Sequence, residues 1–558
     1  MFPTLPLVLL ALSQWQSFIP QTYALNNGLA KTPPMGWNPY NFYAYGWNLF
    51  TAPLNDATEA VYNNTAKAIV NLGLDKLGYT IISLEAGWQG TTRDASGKFT
   101  WNTAKYPSGI PALGSFLHSL GLKLGVYSDA GFFSCDSSNG KDHWLGSLGH
   151  EAADAATFAS WGMDYLKYDN CYAVNSTDFV NWAPPIPLEP HYTAMQNAIE
   201  ATKRPIIFAI CEWGVQDPAR WAPAVGHSWR ISNDIGPPAS WANFFRIINQ
   251  VVPITGFAGP GAWNDLDMLE VGNSPLTTAE QQTHFAFWAA AKSPLIISTN
   301  VINITSTTLS ILRNERLIAV NQDPLGKSIA LKRRYSNDND VWAGPLSDGS
   351  TVVIVVNWQN VQRSLTLNLA DVGFSSATLM DLWSGSSLGK FTNTYTATVP
   401  AHGNLALKLT GGTAAPKPSF TTYAAAAKQN IVAGGAQVAT VNTTQVVGNI
   451  GSGGTLTFTG VDGGTAGGTK LVSIDFINAD VAFRNSACSN CRNAFVSVNN
   501  GTAVQVQFPL SGQSWNIVYK GYLVSLSGFK AGTTNTVQFS NPATGVFGPN
   551  LVQIGVQK

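Results

Sequence analysis

The segment Tyr165-Leu166-Lys167-Tyr168-Asp169-Asn170-Cys171 decides the fold of this chain. Residues 163–168 form a short, mostly apolar run that is typical of a buried strand, and a carboxylate follows the run directly. Burying an acid at a strand end costs free energy unless the acid is used. In a (β/α)8 barrel, the reacting groups lie at the carboxyl ends of the strands. The segment therefore predicts part of an active site, with a helix N-cap as the alternative role of Asp169.

Two further apolar runs end in the same way. The run Ile206–Ile210 is followed by Cys211-Glu212-Trp213, and the run Ser228–Ile231 is followed by Ser232-Asn233-Asp234. Three acid-bearing strand ends in one stretch of chain indicate the rim of an active site, because three unrelated helix caps would not share this pattern.

Strand-like and helix-like patterns alternate from about residue 25 to residue 321, which predicts parallel strands joined by right-handed crossovers. Eight such strands fit a single (β/α)8 TIM barrel, which typically has about 250 residues. The predicted strands are Pro34–Asn38, Thr80–Glu85, Leu122–Tyr127, Met163–Tyr168, Pro205–Ile210, Ser228–Ile231, Gly261–Met268 and Pro294–Ser298.

The pattern changes at residue 323 to Thr, Val, Ser and Gly runs with a period of two. This period predicts an antiparallel β domain over residues 323–410, after a catalytic barrel over residues 25–322. Residues 411–420 have the composition of a linker, and residues 421–558 predict a C-terminal β-sandwich.

Residues 1–24 are typical of a signal peptide, because an apolar centre precedes the small residues Thr22 and Ala24. The apolar centre is too short to span a bilayer, so we expect a secreted, extracellular protein. Five glycosylation sequons agree with secretion; they begin at Asn63, Asn175, Asn303, Asn442 and Asn500.

Composition favours a neutral, polyhydroxylated ligand. The chain has 558 residues, in which 32 basic residues balance 32 acidic ones, and it contains 18 Trp. The sequence has no basic stripe of the kind that binds nucleic acid. It has no later apolar run that is long enough to span a membrane. Aromatic rings suit the apolar faces of sugars, so a carbohydrate is the expected partner.

The chain has five cysteines. Cys135 and Cys171 follow neighbouring predicted strands, so we expect a disulfide near the site. Cys488 and Cys491 form a C-x-x-C pair for which a metal half-site, a redox pair and a local disulfide are possible, and secretion favours the disulfide. Cys211 is then a buried free thiol.

Several motifs in order resemble glycoside hydrolase family 27, the melibiase-like α-galactosidase family, over residues 32–410. The matching pieces are Pro34–Asn38, Gly125–Gly131, Lys167–Cys171, Cys211–Gly214, Trp229–Ile235 and Gly259–Met268. The resemblance implies that Asp169 is the nucleophile and that Asp234 is the general acid and base. It implies no metal and no other cofactor, because two carboxylates suffice for this chemistry. Lys167 should hold the pKa of Asp169 down.

The resemblance also implies a sugar-binding pocket. Trp37 would stack on the sugar, Lys167 and Arg230 would donate to its hydroxyls, and Glu212 would face its 2-position, which disfavours an N-acetyl group. The implied substrate-binding residues are Trp37, Glu85, Tyr127, Lys167, Glu212, Trp213, Arg230 and Met268.

Glu85 departs from the family pattern, because the family has Asp where this chain reads Glu85-Ala86-Gly87-Trp88. The family's Asp binds the 4- and 6-hydroxyls of galactose, and Glu reaches about 1.3 Å further. The longer side chain would occupy the space of the C6 hydroxymethyl group, which β-L-arabinopyranose lacks. We therefore expect a retaining α-galactosidase, with β-L-arabinopyranosidase or dual activity as the alternative. A non-catalytic sugar-binding protein is the alternative from another class, and the presence of both acids argues against it.

Residues after 421 resemble carbohydrate-binding modules of family 35. The matching pieces are Val447–Gly451, Phe508–Trp515 and Ala531–Val537. Acids that often ligate calcium in that family are absent at Tyr423–Ala427, which argues against calcium. The module predicts binding to insoluble polysaccharide, with a purely structural domain as the alternative.

Overall fold

The computed structural model describes residue 25 and residues 27–43, 57–138, 142–336, 338–483 and 492–558. The predicted signal peptide, Cys488 and Cys491 lie outside these residues. Within them, no helix combines the length and the apolar character that crossing a bilayer would require.

The first domain alternates strands with helices, as the sequence pattern predicts. Its elements are β1 Met35–Trp37, α1 Tyr40–Tyr43, α2 Glu59–Asn71, β2 Ile81–Ser83, α3 Ile110–Ser119, β3 Lys123–Asp129, β4 Phe133–Ser138, β5 Asp142–Leu145, α4 Glu151–Ser160, β6 Met163–Asp169, α5 Glu189–Ala201, β7 Ile207–Ile210, β8 Ser228–Arg230, α6 Trp241–Val251, β9 Trp263–Asp265, α7 Thr278–Ala290, β10 Leu295–Ile297, α8 Ser306–Leu312 and α9 Glu315–Asn321.

Eight of these strands form one parallel sheet in the order β10-β1-β2-β3-β6-β7-β8-β9. A parallel bridge between Leu269 and Ile297 joins the two ends of the sheet and closes the barrel. The backbone nitrogen of Leu269 donates to Ile296 at 2.8 Å across this closure. The predicted (β/α)8 barrel is therefore confirmed, although most strands are shorter than the apolar runs that predicted them.

The residues of β6 alternate between two cores. Leu166 packs in the large core of the domain, whereas Tyr165 belongs to a separate small cluster with residues of β2 and β7. Successive side chains of a strand point to opposite faces. Lys167 and Asp169 therefore share the inward face with Tyr165, and the strand directs them into the mouth of the barrel.

Side-chain caps fix the start of the last three helices of the barrel. Thr277 and Glu280 form a capping box at α7, in which each side chain accepts from the backbone of the other. Thr305 and Asn314 cap α8 and α9. Each cap contributes about 0.5–2 kcal/mol, so polar side chains define where these helices begin.

The second domain is antiparallel, as expected. Its strands form a six-stranded sheet in the order β11-β12-β13-β18-β15-β16 and a two-stranded sheet of β14 and β17, with a separate apolar core between them. The strands are β11 Ala330–Tyr335, β12 Asn339–Pro345, β13 Thr351–Asn357, β14 Arg363–Asn368, β15 Phe374–Asp381, β16 Ser387–Thr392, β17 Thr394–Val399 and β18 Asn404–Ala414.

The third domain is a β-sandwich. One sheet has the order β21-β22-β29-β24-β27, with β19 also paired to β29, and the other has the order β20-β23-β28-β25-β26. The strands are β19 Phe420–Ala424, β20 Ile431–Ala433, β21 Gln437–Val441, β22 Thr444–Gly448, β23 Thr455–Val461, β24 Gly468–Ile477, β25 Arg492–Val498, β26 Val504–Phe508, β27 Tyr519–Phe529, β28 Asn535–Ser540 and β29 Asn550–Gln557.

The predicted linker at 411–420 is too long. Strand β18 continues to Ala414, which pairs with Phe374 of β15. The Gly- and Thr-rich sequence is thus held by a neighbouring strand, and only residues 415–419 separate the second and third domains.

The sequons differ in exposure. Asn175, Asn303, Asn442 and Asn500 are exposed, whereas Asn63 lies half-buried on α2. Glycosylation at all five stays a prediction, and the four exposed residues are the more accessible ones.

Candidate active site

Asp169 ends β6 beside Asp129, the last residue of β3. The Asp169 side chain is only 8 % exposed. Trp213 Nε1 donates to its Oδ1 at 2.9 Å, and Lys167 Nζ lies 3.9 Å from its Oδ2. These partners fix the direction of the carboxylate, as attack on a bound substrate requires.

Burial raises the pKa of Asp169 above its ordinary value. The Lys167 cation lowers this pKa, while the Asp234 and Glu85 charges raise it further. Lys167 therefore lowers the pKa of Asp169 as expected, but desolvation outweighs the cation and leaves this pKa above its ordinary value. Lys167 itself stays cationic: burial opposes its charge, yet the Glu85 carboxylate and other nearby charges raise its pKa well above the usual range.

Glu85 lies in the barrel mouth, where it is held by two donors. Lys167 Nζ donates to both of its carboxylate oxygens, at 3.0 and 2.9 Å. Asn38 Nδ2 donates to Oε2 at 2.6 Å. The Glu85 side chain is only 3 % exposed, so its position is set by the protein rather than by solvent.

Asp234 stands in the loop after β8, and its side chain is 43 % exposed. Arg230 Nη2 lies 2.8 Å from Asp234 Oδ1 and also 2.8 Å from Asp267 Oδ2. One carboxylate of the expected pair, Asp169, is thus buried, and the other is open to solvent. Different environments for two acids are the usual basis of separate nucleophile and acid roles.

Asp267 belongs to the site, although the sequence analysis assigned it no role. Its backbone has φ +84°, in the left-handed region, and its Oδ2 accepts from the backbone nitrogen of Ile235 at 2.8 Å. Burial raises the pKa of Asp267 to about 6, while Arg230 opposes the rise. The available signal was Asp265-Leu266-Asp267 at the end of a predicted strand. Asp267 therefore connects Arg230 to the loop of Asp234.

Asp129 is a second residue of the site without a predicted role. It is fully buried, and Tyr127 Oη donates to its Oδ2 at 3.3 Å. Burial and then the Asp169 charge raise the pKa of Asp129 well above its ordinary value. The signal resembles that of Asp169, because Asp129 lies two residues after the predicted strand Leu122–Tyr127.

The predicted aromatic and thioether residues take different positions. Trp213 contacts Asp169, Tyr127 lies under the Lys167 cation at 5.3 Å, and Met268 lines a cavity in the barrel mouth. Trp37 is fully buried, and its indole nitrogen donates to a backbone oxygen at 2.9 Å. Stacking of Trp37 on a sugar stays a prediction.

Glu212 is fully buried in the turn that follows β7. Its Oε1 accepts from the backbone nitrogen of Gln216 at 2.7 Å, and its Oε2 has no hydrogen-bond partner among the residues that the structure describes. Burial raises the pKa of Glu212 to about 8. The carboxyl thus accepts a hydrogen bond within the turn that contains it. Its contact with the 2-position of a sugar stays a prediction.

The predicted disulfide between Cys135 and Cys171 is confirmed, with a Cα–Cα distance of 4.9 Å. The bond uses the two sulfur atoms that, with Asp129, lie close enough together for a metal ion. Cys211 is the buried free thiol that was expected. Burial and the Asp169 charge raise the pKa of this thiol, which lies 3.7 Å from Arg230 Nη1.

Some of the charged residues of the site line a cavity. It has a volume of about 30 Å³ and is lined by Lys167, Cys211, Arg230, Asp267 and Met268, among others. Two carboxylates at the carboxyl ends of barrel strands are the groups that glycoside hydrolysis uses.

Comparison with protein families places the chain more narrowly. The family described as Alpha galactosidase A matches residues 32–323, and the Alpha galactosidase C-terminal beta sandwich domain matches residues 336–409. The chain belongs to glycoside hydrolase family 27, the family of α-galactosidase-type hydrolases.

Relatives of known name agree with this family. The chain is 47 % identical over 398 residues to the probable alpha-galactosidase D of Aspergillus niger, an alignment covering 70 % of this chain and 58 % of that protein. It is 38 % identical over 624 residues to the probable alpha-galactosidase D of Aspergillus fumigatus, with 93 % of each chain covered. The first alignment thus spans less than two thirds of the relative, whereas the second spans nearly all of it.

Solved structures of two α-galactosidases resemble about 70 % of this chain. Alpha-galactosidase I from Mortierella vinacea is 37 % identical, with a TM-score of 0.62 over 70 % of this chain and 100 % of that one. The alfa-galactosidase from Saccharomyces cerevisiae with raffinose is 29 % identical, with a TM-score of 0.61 over 69 % of this chain and 99 % of that one.

Proposed function

We propose that the protein is a retaining exo-glycosidase that releases terminal α-D-galactose from oligosaccharides or polysaccharides. The observation that supports this most directly is the pairing of two acids at strand ends of the barrel. Asp169, at the end of β6, is buried and fixed by Trp213 and Lys167, whereas Asp234, after β8, is half-exposed. The names of the relatives agree with this substrate.

In the first step, an Asp169 oxygen attacks the anomeric carbon as the bond from that carbon to the leaving oxygen breaks. The leaving oxygen takes the proton of the Asp234 carboxyl. The buried position of Asp169 suits attack from inside the pocket, and the exposed position of Asp234 suits contact with a leaving group that extends toward solvent. The product of this step is a covalent glycosyl ester of Asp169.

In the second step, water attacks the same carbon and the ester bond to Asp169 breaks. Asp234, now a carboxylate, accepts the proton of the water, so both acids return to their first state. Two inversions retain the configuration of the sugar.

Arg230 would change partners when a sugar binds. In the free protein its Nη2 lies 2.8 Å from both Asp234 and Asp267. A ring hydroxyl that takes the place of Asp234 beside Arg230 would free Asp234 for the leaving oxygen, while Asp267 keeps the guanidinium in position. Substrate binding would thus release Asp234 from Arg230, so that its carboxyl can donate a proton to the leaving oxygen.

A β-L-arabinopyranosidase is the second candidate, and Glu85 is the observation that favours it. Lys167 and Asn38 hold the Glu85 carboxylate inside the mouth, where it is 3 % exposed. The side chain therefore cannot turn out to solvent to admit a larger sugar. A pentopyranose without the C6 hydroxymethyl group would fit beside it.

The decisive experiment measures kcat/KM on the p-nitrophenyl α-D-galactopyranoside and β-L-arabinopyranoside, with the configuration of the first product followed by NMR. A retained product and an Asp169→Asn loss of at least about 10³-fold support the mechanism. Near-normal turnover by the properly folded Asp169→Asn protein would refute the nucleophile. Turnover of neither glycoside by the wild type would refute the function.

Secretion and polysaccharide binding belong to the same proposal. An extracellular enzyme would meet polymers with terminal galactose or arabinopyranose, and the third domain would hold it on insoluble ones. A pull-down of the full chain on galactose-bearing insoluble polysaccharide, with unsubstituted polysaccharide as the control, tests the second part. Detection of the protein in culture medium, with its new N-terminus sequenced, tests the first.

A further inference from the structure

Arg246 of helix α6 joins the loop of Asp234 to the third domain. Its side chain is 2 % exposed, and its Nη2 donates to the backbone oxygen of Asp234 at 2.8 Å. Its Nη1 donates to the backbone oxygen of Asn233 at 3.2 Å and to that of Phe483 at 3.1 Å, and also to the Ser232 hydroxyl. A single buried guanidinium therefore holds both parts of the protein.

The charge of Arg246 persists despite its burial. Burial and the nearby Arg230 cation lower the pKa of Arg246 to about 10, which leaves it charged at neutral pH. The carbonyl oxygens that it binds are backbone atoms, so this contact fixes the path of the main chain. On the other side of Asp234, the backbone nitrogen of Ile235 donates to Asp267. The main chain is thus held directly before and after the acid.

The third domain contacts the rim of the barrel at further points. Gln250, one turn beyond Arg246 on α6, donates to the backbone oxygen of Ala482 at 3.0 Å. Gln513 donates to the backbone oxygen of Gly214, next to Trp213, at 2.7 Å. The domain therefore contacts helix α6, which carries Arg246, and the loop of Trp213, the residue that donates to Asp169.

An aromatic path leads from the third domain to the nucleophile. The Phe483 ring stacks on Trp182 at 6.1 Å, and Trp182 packs on Trp213 at 5.4 Å. Trp213 is the donor to Asp169. Displacement of the Ala482–Phe483 segment would remove support from both sides of the pocket.

We propose that the third domain takes part in hydrolysis by positioning Asp234, with Arg246 as the positioning residue. The inference rests on the role of Asp234 under the proposed function. It assigns the domain an effect on proton transfer that is separate from any attachment to polysaccharide. Arg246 touches no reacting atom in this scheme and acts only through the loop that it holds.

Two substrates with different leaving groups distinguish a displaced Asp234 from a general loss of structure. The methoxy group of a methyl glycoside is a poor leaving group and needs the proton of Asp234. The p-nitrophenolate of a p-nitrophenyl glycoside leaves with little help from an acid. General acid catalysis contributes about 10²–10⁴-fold where it is needed. A displaced Asp234 should therefore slow the methyl glycoside far more than the p-nitrophenyl glycoside.

The experiment compares Arg246→Gln with wild type on both glycosides of whichever sugar the wild type cleaves. We expect kcat/KM on the methyl glycoside to fall at least about tenfold more than on the p-nitrophenyl glycoside. Arg246→Lys, which keeps a charged donor, should recover part of the loss. Equal losses on both substrates would overturn the inference.

Arg333 offers a matched control at another contact of the same domain. It is also buried, and its Nη2 donates to the Ser525 hydroxyl at 3.1 Å. Arg333→Gln makes the same chemical change outside the loops of both acids, so it should leave the ratio of the two rates unchanged. If Arg246→Gln does not fold, Gln250→Leu replaces it and should shift the ratio in the same direction by about threefold. An unchanged ratio in the folded Gln250→Leu protein would then overturn the inference.

Hydrogen–deuterium exchange gives a readout that does not need activity. The peptide over residues 232–236 should exchange faster in Arg246→Gln than in wild type or Arg333→Gln. Exchange that does not change would overturn the inference and leave the proposed function intact. A wild type inactive on both sugars would refute the proposed function, and exchange alone would then decide whether Arg246 holds the loop.

Discussion

Lys167 donates to both carboxylate oxygens of Glu85, at 3.0 and 2.9 Å, across the mouth of the barrel. Both side chains are largely buried, at 15 % and 3 % exposure. Removing one partner of a buried ion pair is costly, because the other charge is left uncompensated. The pair therefore fixes one wall of the pocket and links the residue that departs from the family pattern to the neighbour of the nucleophile.

Shortening Glu85 should change which sugar is preferred. Glu85→Asp withdraws the carboxylate from the space of the C6 hydroxymethyl group, and one carbon is worth about 10–200-fold in preference. We expect the ratio of kcat/KM for galactoside over arabinopyranoside to rise at least about tenfold. Glu85→Gln, which keeps the length and loses the charge, should not raise it. An equal rise in both variants would show that charge and not length is responsible.

Removing the Lys167 charge should move the acid limb of the pH profile. Lys167 lowers the pKa of Asp169, although burial raises that pKa more strongly. In Lys167→Met the pKa should rise further, so the limb of kcat/KM that reports ionisation of the nucleophile should shift to higher pH. Lys167→Arg should leave the limb near its wild-type position. A limb that stays in place in the Met variant would contradict this account of the site.

Glu212 should make the barrel less stable as pH rises. Its pKa is about 8 in the folded protein and about 4.5 otherwise, so the folded state binds more protons between these values. The free energy of unfolding then falls across pH 4.5–8, by at most about 1.4 kcal/mol per pH unit for one group. Calorimetry should show that the thermal midpoint of Glu212→Gln gains on wild type from pH 5 to pH 8. A gain that is constant with pH would argue against this origin.

Loss of the disulfide should destabilise the barrel and the position of Asp169. Cys135 and Cys171 are 36 residues apart, and the bond ends two residues after Asp169. A cross-link of this kind contributes about 2–4 kcal/mol. The double variant Cys135→Ser, Cys171→Ser should have a lower thermal midpoint, and reductant should lower the midpoint of wild type more than that of the variant, which keeps Cys488 and Cys491. An equal effect of reductant on both proteins would contradict a stabilising role of the Cys135–Cys171 bond.

Much of the site could be predicted because its chemistry is local in sequence. Asp169 follows an apolar run directly and Asp234 lies three residues after one, and parallel strands bring such ends together. Asp129 and Asp267 have the same signal, but their importance depends on contacts between strands. Asp129 matters because the register of β3 and β6 sets it beside Asp169, and no single segment contains that register.

The structure also differs from the sequence-based predictions where backbone groups form hydrogen bonds that the sequence does not show. Glu212 turns to the amide of Gln216, and the sequence alone cannot show that this amide needs an acceptor. Residues 411–414 have the composition of a linker, yet β15 provides hydrogen-bond partners for them. The contact of Arg246 with Phe483 joins residues 237 positions apart. Such distant contacts lie beyond any local pattern.

The first and last strands of the third domain lie side by side. Phe420 of β19 pairs with Gln557 of β29, and the backbone nitrogen of Lys558 donates to Ser419 at 3.0 Å. A domain whose first and last strands are adjacent can be inserted into a surface loop of another protein without distorting that protein. The pairing of β19 with β29 thus gives this domain the geometry that insertion into a loop requires.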